Sequence, residues 1–248
     1  MNSTLLLVTL LFSCAPANSA EPSDFARANL LYEESRLDDA VREYRALTAA
    51  TPQIAELHYN LGNAYFRLGT PGSLGRAIAS YQRAFDLAPR DLDIRYNLNF
   101  AMGRAGEKLI PTGTPTALFV LFHAFSFTEL AALQWIGFWL ALLLGSVYFL
   151  RENSQAKLRP WLAGAMIFWV LFACWWGARA LLSDPSPGVV VVQDAEVRSG
   201  PGANFPVSFK LPEGRRISQL DAKGGWLEIG VRKEGLKGWV AADAIEKI

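Results

Sequence analysis

Cysteine and histidine are scarce, with two of each in a chain of 248 residues. Cys14 lies in an N-terminal apolar stretch and Cys174 inside a second hydrophobic run. A disulfide between them is not expected, so cysteine does not report a redox compartment. His58 and His123 lack ligand spacing, and no metal site is expected. Charge of one sign is also scarce. The formal net charge is +1, with acidic and basic residues interspersed through both polar ends. Nothing argues for a nucleic-acid partner. No Ser/His/Asp, Cys/His or paired-carboxylate constellation stands in a matching context. The glycine-containing "GTPGSLG" lacks the lysine that a phosphate loop requires. The chain is therefore expected to be neither an enzyme nor a cofactor protein.

Apolar residues are plentiful, at 51% against 19% charged. The excess is concentrated in the span 116–182. At the N-terminus, "MNSTLLLVTLLFSCAPANSA" reads as an export signal over residues 1–20, an apolar run followed by small residues up to Ala20. No Lys or Arg precedes Arg27, which departs from the usual charged start. "LFSC" also resembles a lipobox ending at Cys14, so cleavage near Ala20 and lipidation at Cys14 both stay open. Eight strongly apolar residues are too few to span about 30 Å of hydrocarbon.

The next part repeats itself at a period of 34 residues. "ANLLYEES" aligns with "GNAYFRLG", and "DAVREYRALTAATP" with "RAIASYQRAFDLAP". Ala40 pairs with Ala77, Tyr44 with Tyr81, and Pro52 with Pro89. The second copy carries three extra residues in the turn Thr70 to Gly75. "YNLGNAYFR" recurs as "YNLNFAMGR" from Tyr96. Small residues at Gly62, Ala40 and Ala77 let helices approach, the tyrosines fill between them, and the prolines end each second helix. This pattern resembles tetratricopeptide (TPR) repeats over residues 23–105, with a last helix from Leu92 to Arg104 capping the stack.

That resemblance implies a concave protein-binding face lined by the first helices. Its expected residues are Asn29, Tyr59, Asn63, Phe66, Arg67, Tyr96, Asn97 and Phe100. Tyr59 and Phe66 could equally pack between repeats. The asparagines lean towards ligand contact, since a buried amide needs partners. The lysines of the carboxylate-clamp variety are missing, so binding of a C-terminal carboxylate is not expected.

A Pro/Gly/Thr linker over residues 106–116 stops the stack. Residues 117–127 are expected as a helix lying in the membrane interface. Residues 130–150 and 161–182 read as two transmembrane helices, each long enough to cross a bilayer. Trp161, Trp175 and Trp176 sit near the ends of the second span as interfacial anchors. The connecting loop, residues 151–160, carries Arg151, Lys157 and Arg159 against Glu152. That bias favours a cytoplasmic loop, with both polar parts on the periplasmic side. Arg179 is expected to snorkel to the headgroups, and His123 needs no special role.

From Gly188 the pattern becomes strand-like, with Gly-rich turns between short apolar runs. "VRSGPG", "LPEGRRI", "GGWLEIG" and "KGWVAADAI" together resemble the bacterial SH3 (SH3b) domain over residues 188–248. Phe205, Trp226 and Trp239 are the candidate groove residues, although the two tryptophans could instead close the core. The linker Ser183 to Gly188 carries two prolines and reads as a short, semi-rigid tether.

The expected architecture is thus a multidomain membrane protein: an all-α TPR solenoid, a two-helix transmembrane hairpin and a small all-β SH3b barrel. The order of these parts resembles the BatE family of bacterial aerotolerance operons. The resemblance implies a membrane-embedded accessory at the inner membrane. Its implied partners are other Bat-type proteins with von Willebrand factor A domains, in a complex tied to oxidative or envelope stress. The alternative is a peptidoglycan-anchoring or wall-hydrolase-accessory protein that acts mainly through SH3b, with peptidoglycan as its partner.

Overall fold

A computed structural model of the chain describes residues 22–231 and 234–248. The export signal and Cys14 lie outside the described residues. Five helices come first: α1 (Pro22–Glu33), α2 (Leu37–Ala50), α3 (Ala55–Leu68), α4 (Ser73–Leu87) and α5 (Leu92–Arg104). Each packs on its successor. The small residues sit at the helix contacts. Ala28, Ala40 and Ala77 are fully buried, and Tyr44 and Tyr81 are buried beside them. A Cβ on Gly62 would lie 2.6 Å from the Tyr81 ring, so only glycine permits this approach of α3 to α4. α2 and α4 both end two residues before a proline, Pro52 and Pro89. Asp91 caps α5 by accepting from the Asp93 and Ile94 amides.

The linker after α5 is no free tether. Glu107 and Leu109 are buried, and Leu109 joins the helical core.

The apolar segment departs from its expected boundaries. The interfacial helix is shorter than 117–127: α6 spans Thr116–Phe122. α7 spans Phe127–Leu150, not 130–150. Ser126 is the reason. Its hydroxyl accepts from the Glu129 amide at 3.2 Å, while its own amide donates to Glu129 Oε2 at 2.8 Å. This reciprocal capping box starts the helix three residues early. The loop at 151–160 also shrinks. A 3₁₀ turn at Glu152–Ser154 leads directly into α8 (Gln155–Leu182), and Pro160 lies within that helix. Gln, Ala, Lys, Leu and Arg at 155–159 are good helix formers and carry the helix through the proline.

α7 and α8 are long and apolar enough to cross a membrane, with mean hydropathies of 1.8 and 1.6 over their most apolar stretches. They pack closely at Gly137, where a Cβ would stand 2.9 Å from Phe168 and from the Trp169 backbone.

Seven strands follow: β1 (Pro187–Val190), β2 (Asp194–Arg198), β3 (Val207–Pro212), β4 (Arg216–Lys223), β5 (Trp226–Val231), β6 (Leu236–Ala241) and β7 (Ile245–Lys247). All pairings are antiparallel, in the order β3-β2-β6-β5-β4-β1-β7. One core cluster draws side chains from every strand, including Val190, Val197, Leu211, Ile217, Ile229, Val240 and Ile245. The sheet therefore curves around it, helped by irregularities at Val197/Arg198 and Gln219/Asp221.

Candidate binding surfaces

The helical face divides into residues held by the fold and residues left open. Asn29 and Asn63 belong to the first group. The Tyr44 hydroxyl donates to Asn29 Oδ1 at 2.6 Å, and the Tyr81 hydroxyl donates to Asn63 Oδ1 at 2.7 Å. The same bond thus recurs in both repeats. Asn97 Nδ2 adds bonds to Asn63 Oδ1 at 3.2 Å and to the Tyr59 hydroxyl at 2.9 Å. Asn60 Nδ2 reaches Asn29 Oδ1 at 3.4 Å. The amide carbonyls expected to meet a ligand are engaged by the protein itself. Burial pushes the Tyr44 hydroxyl up to about 12 and moves Tyr81 the same way.

Arg67 is also engaged. It donates to the Tyr32 carbonyl at 2.9 Å and to Ser35 Oγ at 2.6 Å, and lies over the Tyr32 ring at 5.1 Å. Tyr59 packs against Tyr81, with ring centroids 5.9 Å apart.

The open part is an aromatic stripe. Tyr96 is 69% exposed and Phe100 46%. Their rings stack at 6.3 Å, and Phe100 meets Phe66 at 5.7 Å. The Arg104 guanidinium lies over Phe66 at 5.5 Å and Phe100 at 5.4 Å. The opposite face of α5, with Ile94, Leu98, Ala101 and Met102, seals the helical core.

On the sheet, Trp226 and Trp239 do not close the core. Leu227, Ile229 and Val240 fill it, and strand alternation places the tryptophans on the other face, half-buried. Phe205 is 38% exposed and covers Gly200. Arg198 holds the Phe205 loop by donating to the Ala203 and Phe205 carbonyls at 2.9 and 2.7 Å. Arg198 also pairs in register with Trp239, so loop and tryptophan share one surface.

The two polar parts touch, which sequence reading did not anticipate. α4 packs against β1 and β7. A Cβ on Gly72 or Gly75 would collide with the Val191 or Val190 carbonyl oxygen. The Gly75 amide donates to Glu213 Oε1 at 3.0 Å. Gly72 offers no side chain to cap α4, so a carboxylate from the sheet supplies an acceptor instead. Arg83 pairs with Glu246 at 2.8 Å and donates to the Lys247 carbonyl. Arg215 pairs with buried Glu107 at 3.2 Å. The Pro-containing linker therefore delivers a docked domain.

A second polar knot joins the repeats to the apolar helices. Arg90 forms a two-pronged contact with Glu129 at 2.5 and 3.0 Å and donates to the Ala124 carbonyl at 2.9 Å. Arg179 does not snorkel. It is 7% exposed and donates to the Phe122 and Phe125 carbonyls at 3.2 and 3.0 Å. It therefore supplies donors to carbonyls at the end of α6, where the helix ladder has stopped. α6 itself turns Phe119 into the helical core, stacked on Phe85 at 6.3 Å, and leaves Leu118 and Leu121 exposed. His123 fills the space between Phe85, Phe119 and Phe122. Among the described residues, no group of three or more His, Cys, Asp or Glu side chains could hold a metal ion.

Known proteins match the two polar parts separately. The TPR repeat family matches residues 28–69, and the bacterial SH3 domain family matches residues 194–246. The chain is 39% identical over 61 residues to the probable cell wall amidase LytH of Staphylococcus epidermidis, a stretch covering 24% of this chain and 21% of that protein. It is 32% identical over 59 residues to LytH of Staphylococcus aureus, covering 24% and 20%. Both likenesses fall in the SH3b region alone. The chain spans about a fifth of the length of these curated relatives. What the matches establish is a chain that carries a TPR repeat and a bacterial SH3 domain, two modules of binding type.

Proposed function

We propose that this protein is a non-enzymatic, membrane-anchored scaffold that recruits a protein partner on the periplasmic side of the bacterial inner membrane. α7 and α8 form the anchor, with α6 at the membrane surface through Leu118 and Leu121. The basic residues Arg151, after α7, and Lys157 and Arg159, in the first turns of α8, support a cytoplasmic turn. The observation that carries the binding role is the exposed, stacked pair Tyr96 and Phe100 on the last repeat helix. Exposed aromatic groups of this kind act as anchors at protein interfaces. The order of the parts supports a place in a Bat-type complex, beside proteins with von Willebrand factor A domains.

The test is crosslinked capture of the full-length protein from its native membranes, beside a Tyr96→Ala/Phe100→Ala variant. Membrane proteins with von Willebrand factor A domains should be recovered with the parent and lost with the variant. Their recovery in equal amounts from both would remove the aromatic stripe from the account.

The likeness of the SH3b region to LytH favours a second reading, in which the sheet holds the protein to the cell wall. Trp239 and Phe205, on the face away from the core, would form that contact. Sedimentation of the full chain with purified peptidoglycan, weakened by Trp239→Ala, would support it. Sedimentation unaffected by Trp226→Ala, Trp239→Ala and Phe205→Ala would dismiss it.

A further inference from the structure

Where the sheet docks on the repeats, a cleft of about 290 Å³ remains open between them. Its helical wall carries Phe66, Thr70 and Arg104, and its sheet wall carries Gln193 and Glu213. The volume sits near the lower end of ligand pockets, about 300 Å³, and suits one or two amino-acid residues rather than a large ligand. The cleft is continuous with the aromatic stripe, because Phe66 lines it and meets Phe100 at a tilt, and Phe100 stacks on Tyr96.

The charges in this cleft are not equivalent. Glu213 is engaged by the Gly75 amide at the start of α4, where the helix dipole offsets part of its charge. Arg104 is held over two phenyl rings, and none of the ion pairs among the described residues includes it. A guanidinium fixed by stacking keeps its N–H edges free and has lost little further freedom on binding. A planar carboxylate is the group that such an edge recognises best. Glu213 and Gln193 also line the cleft, and a carboxylate and an amide suit the N–H and C=O groups of a peptide backbone. A simple inorganic anion would meet Glu213 without offering it a donor.

We propose that this cleft binds a carboxylate-bearing peptide end, with Arg104 receiving the carboxylate and Tyr96 and Phe100 receiving the preceding side chains. The repeats and the SH3b domain then read one ligand together, rather than two ligands apart. This rests on the reading of the aromatic stripe as a protein-binding face. The carboxylate is that of the chain terminus, because the cleft has room for only one or two residues beyond the stripe.

The test uses the full-length protein in lipid nanodiscs and an array of random octapeptides, each made with a free C-terminal carboxylate and with a C-terminal carboxamide. Binders should prefer the free acid by at least about tenfold, the effect of one charge-assisted contact. Equal binding of both forms would overturn the proposal, even where it is confined to octapeptides with Asp or Glu near the end. Arg104→Gln should abolish the acid preference, and Arg104→Lys should keep part of it. Tyr96→Ala/Phe100→Ala should weaken acid and amide forms alike. An acid preference that survives Arg104→Gln would overturn the proposal. Binding that needs Tyr96 and Phe100 but shows no acid preference would also overturn it, while leaving the helical face as a protein-binding surface. Binding indifferent to all these substitutions would remove both.

Discussion

The two helical repeats share a tyrosine–asparagine bond and differ at the turn before their second helix. In the first, Asp38 stands two residues ahead of buried Ala40 and is exposed to solvent. In the second, Gly75 stands two residues ahead of Ala77 and is wedged against the Val190 carbonyl. The three-residue insertion precedes it. One repeat presents an ordinary solvated helix start, and the other presents glycines where the sheet approaches and a Gly75 amide that donates to Glu213. The insertion thus reads as a docking element. A repeat scaffold tolerates such a change because each helical pair contacts only its neighbours.

Three pairs of substitutions, one member in each repeat, would break or sharpen the comparison. The largest effect is expected from Gly75→Val. Its side chain must displace the Val190 backbone, since a carbonyl oxygen cannot rotate away as a side-chain tip can. Amides of β1 and β7 should exchange with solvent more than tenfold faster in hydrogen-exchange measurements on the full chain, while α1 and α2 keep their protection. Asp38→Val, at the equivalent place in the first repeat, should leave β1 and β7 unchanged. Unaltered exchange in the Gly75 variant would mean that the sheet is held elsewhere.

Next in size is Gly62→Ala, which forces a methyl to within 2.6 Å of the Tyr81 ring. Overpacking of this kind costs about 1–3 kcal/mol. The aligned residue in the first repeat, Ala28, is fully buried with its methyl accommodated. Ala28→Gly should cost about 1 kcal/mol through helix propensity, plus the lost methyl contact. Chemical denaturation of the full chain in detergent should therefore show both changes as destabilising. A stabilised Gly62→Ala variant would show that Tyr81 yields easily and that the close approach is not required.

The parts of the fold that were legible are those with a local signal. Ala40, Tyr44 and Pro52 repeat as Ala77, Tyr81 and Pro89, and the four Gly-rich turn motifs mark the strands. The capping box Ser126 to Glu129 was equally visible as an S-x-x-E spacing, yet Ser126 and Glu129 read as interruptions of an apolar run. The phase of the strands also held usable information, because Leu227 and Val240 alternate with Trp226 and Trp239. What no local pattern could supply is contact across distance. Gly75 meets Val190, Arg90 meets Glu129, and Arg179 meets the carbonyls of Phe122 and Phe125. An arginine near a span end fits snorkelling and carbonyl anchoring equally well until the α6–α7 turn is placed beside it. For Asn29 and Asn63, the principle that a buried amide needs partners held, but the partner proved to be a tyrosine of the same repeat.

That tyrosine–asparagine bond yields the smallest and most discriminating effect. Asn29 has the Tyr44 hydroxyl at 2.6 Å and a longer contact from Asn60 at 3.4 Å. Asn63 has the Tyr81 hydroxyl at 2.7 Å and a better second donor in Asn97 at 3.2 Å. Tyr44→Phe should therefore cost about 1 kcal/mol at neutral pH, and Tyr81→Phe somewhat less. Both hydroxyls hold their protons more tightly folded than unfolded, because burial disfavours the phenolate. Their stabilising contribution is complete below the unfolded tyrosine value of about 10 and falls as pH rises above it. For Tyr44 the loss runs from there to about 12. Denaturation midpoints measured from pH 8 to 11.5 should fall steeply in the parent and less steeply in Tyr44→Phe. Parallel curves would mean that Tyr44 ionises without hindrance, and that its bond to Asn29 does not tie the first repeat together.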